Sequence, residues 1–394
     1  MVNATKRQYL ESIRERYHSS SKVEKRVILD EFCAVCQYHR KHAIRLINKK
    51  TRLHHASKSI RRGPKKIYTD PLLHDVLREL WVVTNLPCSK RLKAIIPLWL
   101  PHYDTFEIPD EIRDKLLKIS PSTIDRIMAP SRAKYIKRGL TTTKPGTILK
   151  KHIPIKTNQW DEQIPGFLEV DTVAHCGTTT AGTYVFTINC VDIASGWTEQ
   201  RAIWCKGELA VVVAIQNIEK SLPFDLKGFD CDNGSEFLNW HLESHFHNRK
   251  NPVQFTRSRA YMKNDNAHIE NKNWTNIRQY LGYERFDNFE ITEKLNQLYT
   301  TEWNLYFNYF IPSVKLISKT RDRSKTIKVY DEPKSPVQRL LESQYISIKT
   351  KNQLVNQMNQ LNPFVLQNEM NQKIRTILQL VNKTSIHPLS IPFR

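Results

Sequence analysis

The sequence predicts a mixed α/β protein, with a sheet-forming core over residues 166–286, basic helical modules before it and a small β/α region after it. Three observations predict this. The first is a change of character at Gly166: the strand-like runs Phe167–Val173, Thr183–Ile193 and Trp197–Trp204 follow it, separated by Gly177, Gly182 and Ser195-Gly196. The second is helical spacing of apolar residues ahead of that point, interrupted by capping and turn residues. The third is charge. The 394 residues carry 61 Lys and Arg against 39 Asp and Glu, a net charge of +22, and the excess is not spread evenly. Residues 1–165 have a net +18, residues 166–286 a net −2 and residues 287–394 a net +6.

Composition excludes several classes. Hydrophobic residues make up 40% of the chain and aromatics 10%, too many for a wholly disordered protein. No apolar run approaches the roughly 18 residues of a membrane span. The stretch Met1–Arg7 has no apolar leader character, so the expected location is cytoplasmic and nucleoid-associated. Seven cysteines at Cys33, Cys36, Cys88, Cys176, Cys190, Cys205 and Cys231 read as thiols in a reducing compartment. A basic front end joined to a slightly acidic middle is the charge pattern of an enzyme that acts on nucleic acid; a solubility surface would not segregate this way.

From the N-terminus, Tyr9, Leu10, Ile13 and Tyr17 predict a helix over 5–17. Ser19-Ser20-Ser21 breaks it and caps a second over 22–36, and after the Gln37-Tyr38-His39 turn comes a basic segment, 40–47. Two short helices joined by a tight turn predict a helix-turn-helix domain over 1–60, with Arg40, Lys41 and Arg45 toward DNA. Cys33, Cys36, His39 and His42 are zinc-type ligands, but all four fall within one short stretch, and the cysteines also fit the apolar face of Ile28, Leu29, Phe32 and Val35. A packed helix is the favoured reading. Arg61-Arg62-Gly63-Pro64-Lys65-Lys66 is a linker whose Arg61, Arg62, Lys65 and Lys66 suit phosphate neutralisation.

Residues 67–132 read as a second helix-turn-helix-like DNA-binding domain. Asp70-Pro71 starts one helix, Ser89 caps another that opens with Lys90 and Arg91, and Ser120-Pro121 starts a third. Residues 133–165 lack periodicity and read as a basic linker. Within 166–286, Leu209–Ile218 predicts a helix, Leu226–Cys231 a buried strand, 235–248 a helix, Val253–Thr256 a strand and Ala267–Leu281 a long helix. The order βββαβαβα fits a mixed sheet and not a doubly wound one. In the C-terminal region, 287–394, Val314–Ser318 and Thr326–Tyr330 fit a basic hairpin, and the Asn/Gln-rich end fits two helices that either pack on the core or mediate oligomerisation.

Three acids sit where acids are expensive. Asp171 interrupts the apolar strand Phe167–Val173, Asp232 ends the buried strand Phe229–Asp232, and Glu270 lies on the predicted long helix. Buried carboxylates need partners, and an oxygen-only set favours Mg²⁺ or Mn²⁺. Two such ions can activate an attacking oxygen and stabilise a leaving one in phosphodiester chemistry. Other acids fit less well. Asp192 reads as a turn residue, Asp230 and Glu169 share strand faces with Asp232 and Asp171, and Glu236 orients DNA or a neighbour. His175 reads as a satisfied histidine at the site rim, and His268 lies on a different helix face from Glu270. Lys263, Lys272, Asn273 and Arg278 flank Glu270 and are candidate DNA contacts.

Asp171, the turn Asp232-Asn233-Gly234-Ser235-Glu236-Phe237 and the segment Asn266-Ala267-His268-Ile269-Glu270 resemble the D, D and E motifs of DDE transposases and retroviral-type integrases. The likeness is strongest over 166–286. It departs before the last acid, where many such cores have a glycine and a valine. The resemblance implies an RNase H-like mixed-sheet catalytic core behind α-helical helix-turn-helix domains. It implies Asp171, Asp232 and Glu270 as catalytic ligands of two Mg²⁺ ions, with Mn²⁺ as a substitute. It further implies an insertion-sequence transposase that binds terminal inverted repeats in double-stranded DNA, frees a 3′-hydroxyl and transfers it to target DNA, acting as a homo-oligomer when two ends are held together. The alternatives are a DNA-binding regulator with a catalytically silent core and a ribonuclease H acting on RNA–DNA hybrids.

Overall fold

The structure is a computed structural model that describes residues 3–49, 67–105, 107–133, 162–232, 234, 236–257, 269, 272–322 and 325–384. The chain divides into two units, Met1–Ile67 and Tyr68–Arg394.

In the first unit, α1 (Asn3–Ser19), α2 (Lys22–Cys36) and α3 (Arg40–Ile47) enclose a small core of Ile13, Ile28, Leu29, Phe32, Cys36, Ala43 and Ile47. Ser21 caps α2 reciprocally with Glu24, as the serine break predicts. Gln37 ends α2 in the left-handed region (φ 56°), which makes the turn tight. Cys36 is sealed in the core, whereas the His39 ring accepts the Lys41 N–H at the start of α3.

The second unit begins with α4 (Pro71–Val83), α5 (Ser89–Trp99), α6 (Asp110–Lys118) and α7 (Pro121–Arg132). Asp70 and Ser120 cap α4 and α7. Ser89 does not cap α5: Cys88 holds that position without a side-chain bond, and the buried Ser89 hydroxyl donates to Asp125 (2.6 Å). These helices do not form a module with a core of their own. The fully buried Trp99 donates its indole N–H to the carbonyl of Phe310 (3.1 Å) and packs edge-on against Tyr306 and Phe364.

The central sheet is mixed. Its strands are β1 (Phe167–Ala174), β2 (Val185–Asp192), β3 (Thr198–Trp204), β4 (Gly228–Cys231) and β5 (Gln254–Arg257), in the order β3-β2-β1-β4-β5. The first three pair antiparallel; β4 and β5 join β1 in parallel through the crossover helices α8 (Glu208–Ser221) and α9 (Trp240–His247). One face carries Leu168, Val170, Phe186, Ile188 and Ile203 against α8 and α9. The other carries Val173, Val185, Trp197 and Ala202 against later helices. These are α10 (273–281, opening in the π-helical turns Asn273–Arg278), α11 (Phe289–Leu298) and, beyond the π-helical Tyr299–Trp303, α12 (Asn304–Phe310). The helix predicted over 235–248 is confined to α9, because Asn239 caps it late.

A basic hairpin, β6 (Leu316–Asp322) and β7 (Lys325–Tyr330), precedes α13 (Pro336–Glu342), α14 (Ile348–Gln360) and α15 (Pro363–Thr384). Of the two alternatives for the C-terminal helices, the structure takes packing on the core: Leu354, Leu366, Met370, Ile374, Ile377 and Val381 are buried with α11 and α12. Among the described residues no helix is long and apolar enough to cross a membrane.

Asp192 fixes where β1 begins. Its carboxylate accepts the N–H of Gly166 (2.8 Å) and both the N–H (2.7 Å) and hydroxyl (2.5 Å) of Ser195. Gly166 has φ 118°, and a Cβ there would lie 2.4 Å from the carbonyl oxygen of Asp225. Asp192→Ala leaves three donors without this acceptor, and a loss of about 3 kcal/mol in urea unfolding is expected.

Candidate active site

The parallel register places Val170 beside Cys231, so the next residues on the two chains, Asp171 and Asp232, stand side by side on one face at the end of the β1–β4 pair. Adjacent strands lie about 4.8 Å apart, which brings the two carboxylates together. Both are half-buried. Burial and the Asp232 charge push the Asp171 carboxyl up to about 7, against hydrogen bonds from the Thr172 N–H and Asn273 that favour the ionised form. Burial raises Asp232 as well, with the Gly234 N–H and Lys206 opposing it.

A chain of amides ends on Asp171. Asp171 is in register with Asn189 on β2, and Asn189 with Gln200 on β3. Asn273, at the start of α10, closes the row from above. Gln200 donates to Asn189 (2.7 Å), Asn189 to Asn273 (2.7 Å), and Asn273 to Asp171 Oδ2 (2.7 Å). Each amide thereby fixes the orientation of the next. Gln200 and Asn189 are fully buried. Sequence reading missed both; the signal was present in two amides that interrupt otherwise strand-like runs.

The Asp232 turn is equally constrained. Gly234 donates its N–H to Asp232 Oδ1 (2.8 Å). Glu236 is buried, accepts the Thr172 hydroxyl (2.9 Å) and is ion-paired with Lys206. A Cβ on Gly234 would lie 2.8 Å from Asp232 Oδ1 and 2.7 Å from the Glu236 carboxylate. Gly234→Ala therefore pushes both carboxylates aside, and a tenfold or greater loss of any metal-dependent activity is expected, about the size found when groups that orient ligands are disturbed. Kinetics at matched thermal stability measure it.

The other predicted residues fall as follows. Glu270, Lys263, Arg61, Arg62, Lys65, Lys66 and His268 lie outside the described residues. The residue before Glu270 is described: the buried Ile269 donates its N–H to Glu169 Oε2 (3.1 Å), so a carboxylate two positions before Asp171 reaches the chain just ahead of Glu270. Asn273, expected on DNA, is spent on Asp171. Arg278, also expected on DNA, donates to the carbonyls of Ala174 (2.6 Å) and Gly282 (3.2 Å). Arg91 donates to the carbonyl of Pro312 (2.8 Å). Lys272 is half-buried, and burial together with the charges of Arg91 and Arg339 pushes its ammonium down to about 7. Lys90, Lys41 and Arg45 are exposed, and Arg40 is ion-paired with Asp30. His175 is no rim residue: it is buried, hydrogen-bonded to Thr187 (2.9 Å) and stacked on Phe286.

The donor set suits a hard divalent cation. Asp171 and Asp232 offer oxygens only, and their mutual repulsion is relieved by a cation. Among the described residues no three His, Cys, Asp or Glu side chains gather as a metal cluster. The pair is the part of the predicted triad that these residues include.

Fold and site together define a mixed α/β protein with paired carboxylates where the antiparallel and parallel halves of its sheet meet. No protein-family model matches the chain. The uncharacterized protein y4rM of Sinorhizobium fredii (strain NBRC 101917 / NGR234) is 38% identical over 344 residues, covering 85% of this chain and 95% of its own length, and the chain belongs to the same family. A chain of the cryoEM structure of the simian T-cell lymphotropic virus intasome in complex with PP2A regulatory subunit B56 gamma is similar at 12% identity and a TM-score of 0.30. That match spans 54% of this chain and 66% of the other, just under two thirds of its length, and carries no weight for fold or function.

Proposed function

We propose that the protein is a DDE-type transposase with an RNase H-like core. The observation that carries this reading is the Asp171–Asp232 pair, with Asp171 aimed by an amide chain rooted in the buried Gln200 and Asn189. The strand order β3-β2-β1-β4-β5, antiparallel then parallel, supports the same reading.

Asp171 and Asp232, with Glu270, would hold Mg²⁺ or Mn²⁺. When bound, two such ions supply charge stabilisation to the attacking and leaving oxygens of an in-line displacement. The chain's own residues do the rest. Asn273 holds one Asp171 oxygen in place, the Gly234 N–H holds one Asp232 oxygen, and Lys206 and the Thr172 hydroxyl fix the Glu236 carboxylate beside the pair. The reaction assigned is hydrolysis of a phosphodiester at an element end, followed by attack of the freed 3′-hydroxyl on a target phosphodiester, which forms a new P–O bond and releases the target strand's own 3′-hydroxyl. The basic residues 1–165 supply affinity for double-stranded DNA, and two ends held together require a homo-oligomer.

The test uses DNA flanking the encoding gene. Footprinting should reveal protected inverted repeats on both sides, and oligonucleotides ending in those repeats should be joined to a target plasmid with Mg²⁺. Protected repeats with no joining under Mg²⁺ or Mn²⁺ would favour the silent regulator, and cleavage confined to RNA–DNA hybrids the ribonuclease.

A further inference from the structure

We infer that Trp274 and Tyr283 form a stacking platform for an unpaired nucleobase beside the carboxylate pair; the inference rests on the transposase reading. Both rings are 41% exposed, although α10 buries its neighbouring positions Asn276 and Ile277. Their centroids lie 6.5 Å apart with planes inclined at 41°, and the Arg278 guanidinium lies 4.8 Å from the Tyr283 ring centre.

The platform is anchored at both ends to the strand that bears Asp171. Asn273, immediately before Trp274, donates to Asp171 itself. Arg278 donates to Ala174 at the end of β1 and to Gly282, the residue before Tyr283. Trp274 therefore begins one residue, about 3.8 Å of chain, from a side chain in direct contact with Asp171. The Arg278 guanidinium adds positive charge beside the rings, which suits the flanking phosphate of a stacked base. Exposed aromatics with an adjacent cation are what sequence-tolerant single-strand binding requires, because every base presents a π-face. A base splayed from the duplex end would rest here with the Arg278 charge beside its flanking phosphate.

The test is a fluorescence titration of the full chain, without divalent metal, against a single strand of about ten nucleotides carrying 2-aminopurine near its 3′ end. Wild type should quench the probe. Trp274→Ala should lose most of the quench and bind roughly 5- to 100-fold more weakly. Tyr283→Ala should show a smaller loss, and Trp274→Phe should retain most of the signal. Quench and affinity equal to wild type in both Trp274→Ala and Tyr283→Ala would overturn the platform. So would a change of oligomeric state in Trp274→Ala, by light scattering, with the quench intact, which would mark the rings as a contact between copies. The readout does not depend on cleavage: full cleavage by Asp171→Asn would sink the transposase reading and leave the stacking result standing.

Discussion

Asp171→Asn is expected to lower Mg²⁺-dependent DNA cleavage by about a thousandfold or more while making the metal-free protein more stable. The first effect follows from removing a charged oxygen ligand, worth several kcal/mol where charge is stabilised in a displacement. The second follows from the burial and the Asp232 charge that together push the Asp171 carboxyl up to about 7. The folded protein keeps a proton that the unfolded chain, with an ordinary Asp, releases near 4. Stability contributed at this position is therefore full below about 4, falls as pH rises through about 4 to 7, and is lost above 7. Burial also raises Asp232, Asp192 and Glu199, so part of the slope persists in the variant, and the difference between the two proteins is what counts. A melting temperature about 2–4 °C higher than wild type at pH 8, narrowing toward pH 4, is expected by calorimetry. Such a gain in stability with loss of activity is characteristic of a site under electrostatic strain.

Asn189→Leu is expected to lower activity about 10- to 100-fold although Asn189 touches neither DNA nor metal in the proposed reaction. The leucine cannot accept from Gln200 or donate to Asn273, so it breaks the amide chain in the middle. Gln200 is then left buried without its acceptor, at about 1–3 kcal/mol. Asn273 loses the partner that fixes its amide, so its grip on Asp171 loosens. Asn189→Asp separates the two effects. It keeps an acceptor for Gln200 but faces the Asn273 carbonyl oxygen with a charge, so activity should fall further than in the leucine variant.

Much of this was legible in the sequence for a physical reason: a carboxylate inside an apolar strand is costly enough to stand out, and Asp171 and Asp232 did. What brings them together is strand register, which the sequence reading did not supply. What was not legible was how neighbouring polar groups are used. Asn273 lies 102 residues from Asp171 and reads as a DNA contact on a helix until α10 crosses the sheet. Arg91 and Arg278 read as DNA contacts in sequence, but backbone carbonyls far along the chain capture them. The helices after residue 67 show amphipathic faces that fit an independent module. Only the tertiary fold reveals that Trp99 faces Phe310, 211 residues away. The 235–239 stretch has helix-forming residues, yet Glu236 is committed to Thr172 and Lys206, and Asn239 delays the helix start.

The most direct test is nicking of a supercoiled plasmid carrying the DNA that flanks the encoding gene, with wild type and Asp232→Ala side by side at matched folding. Wild type should nick the plasmid with Mg²⁺, chelation should abolish the nicking, and the variant should lack it. Full nicking by Asp232→Ala would contradict it.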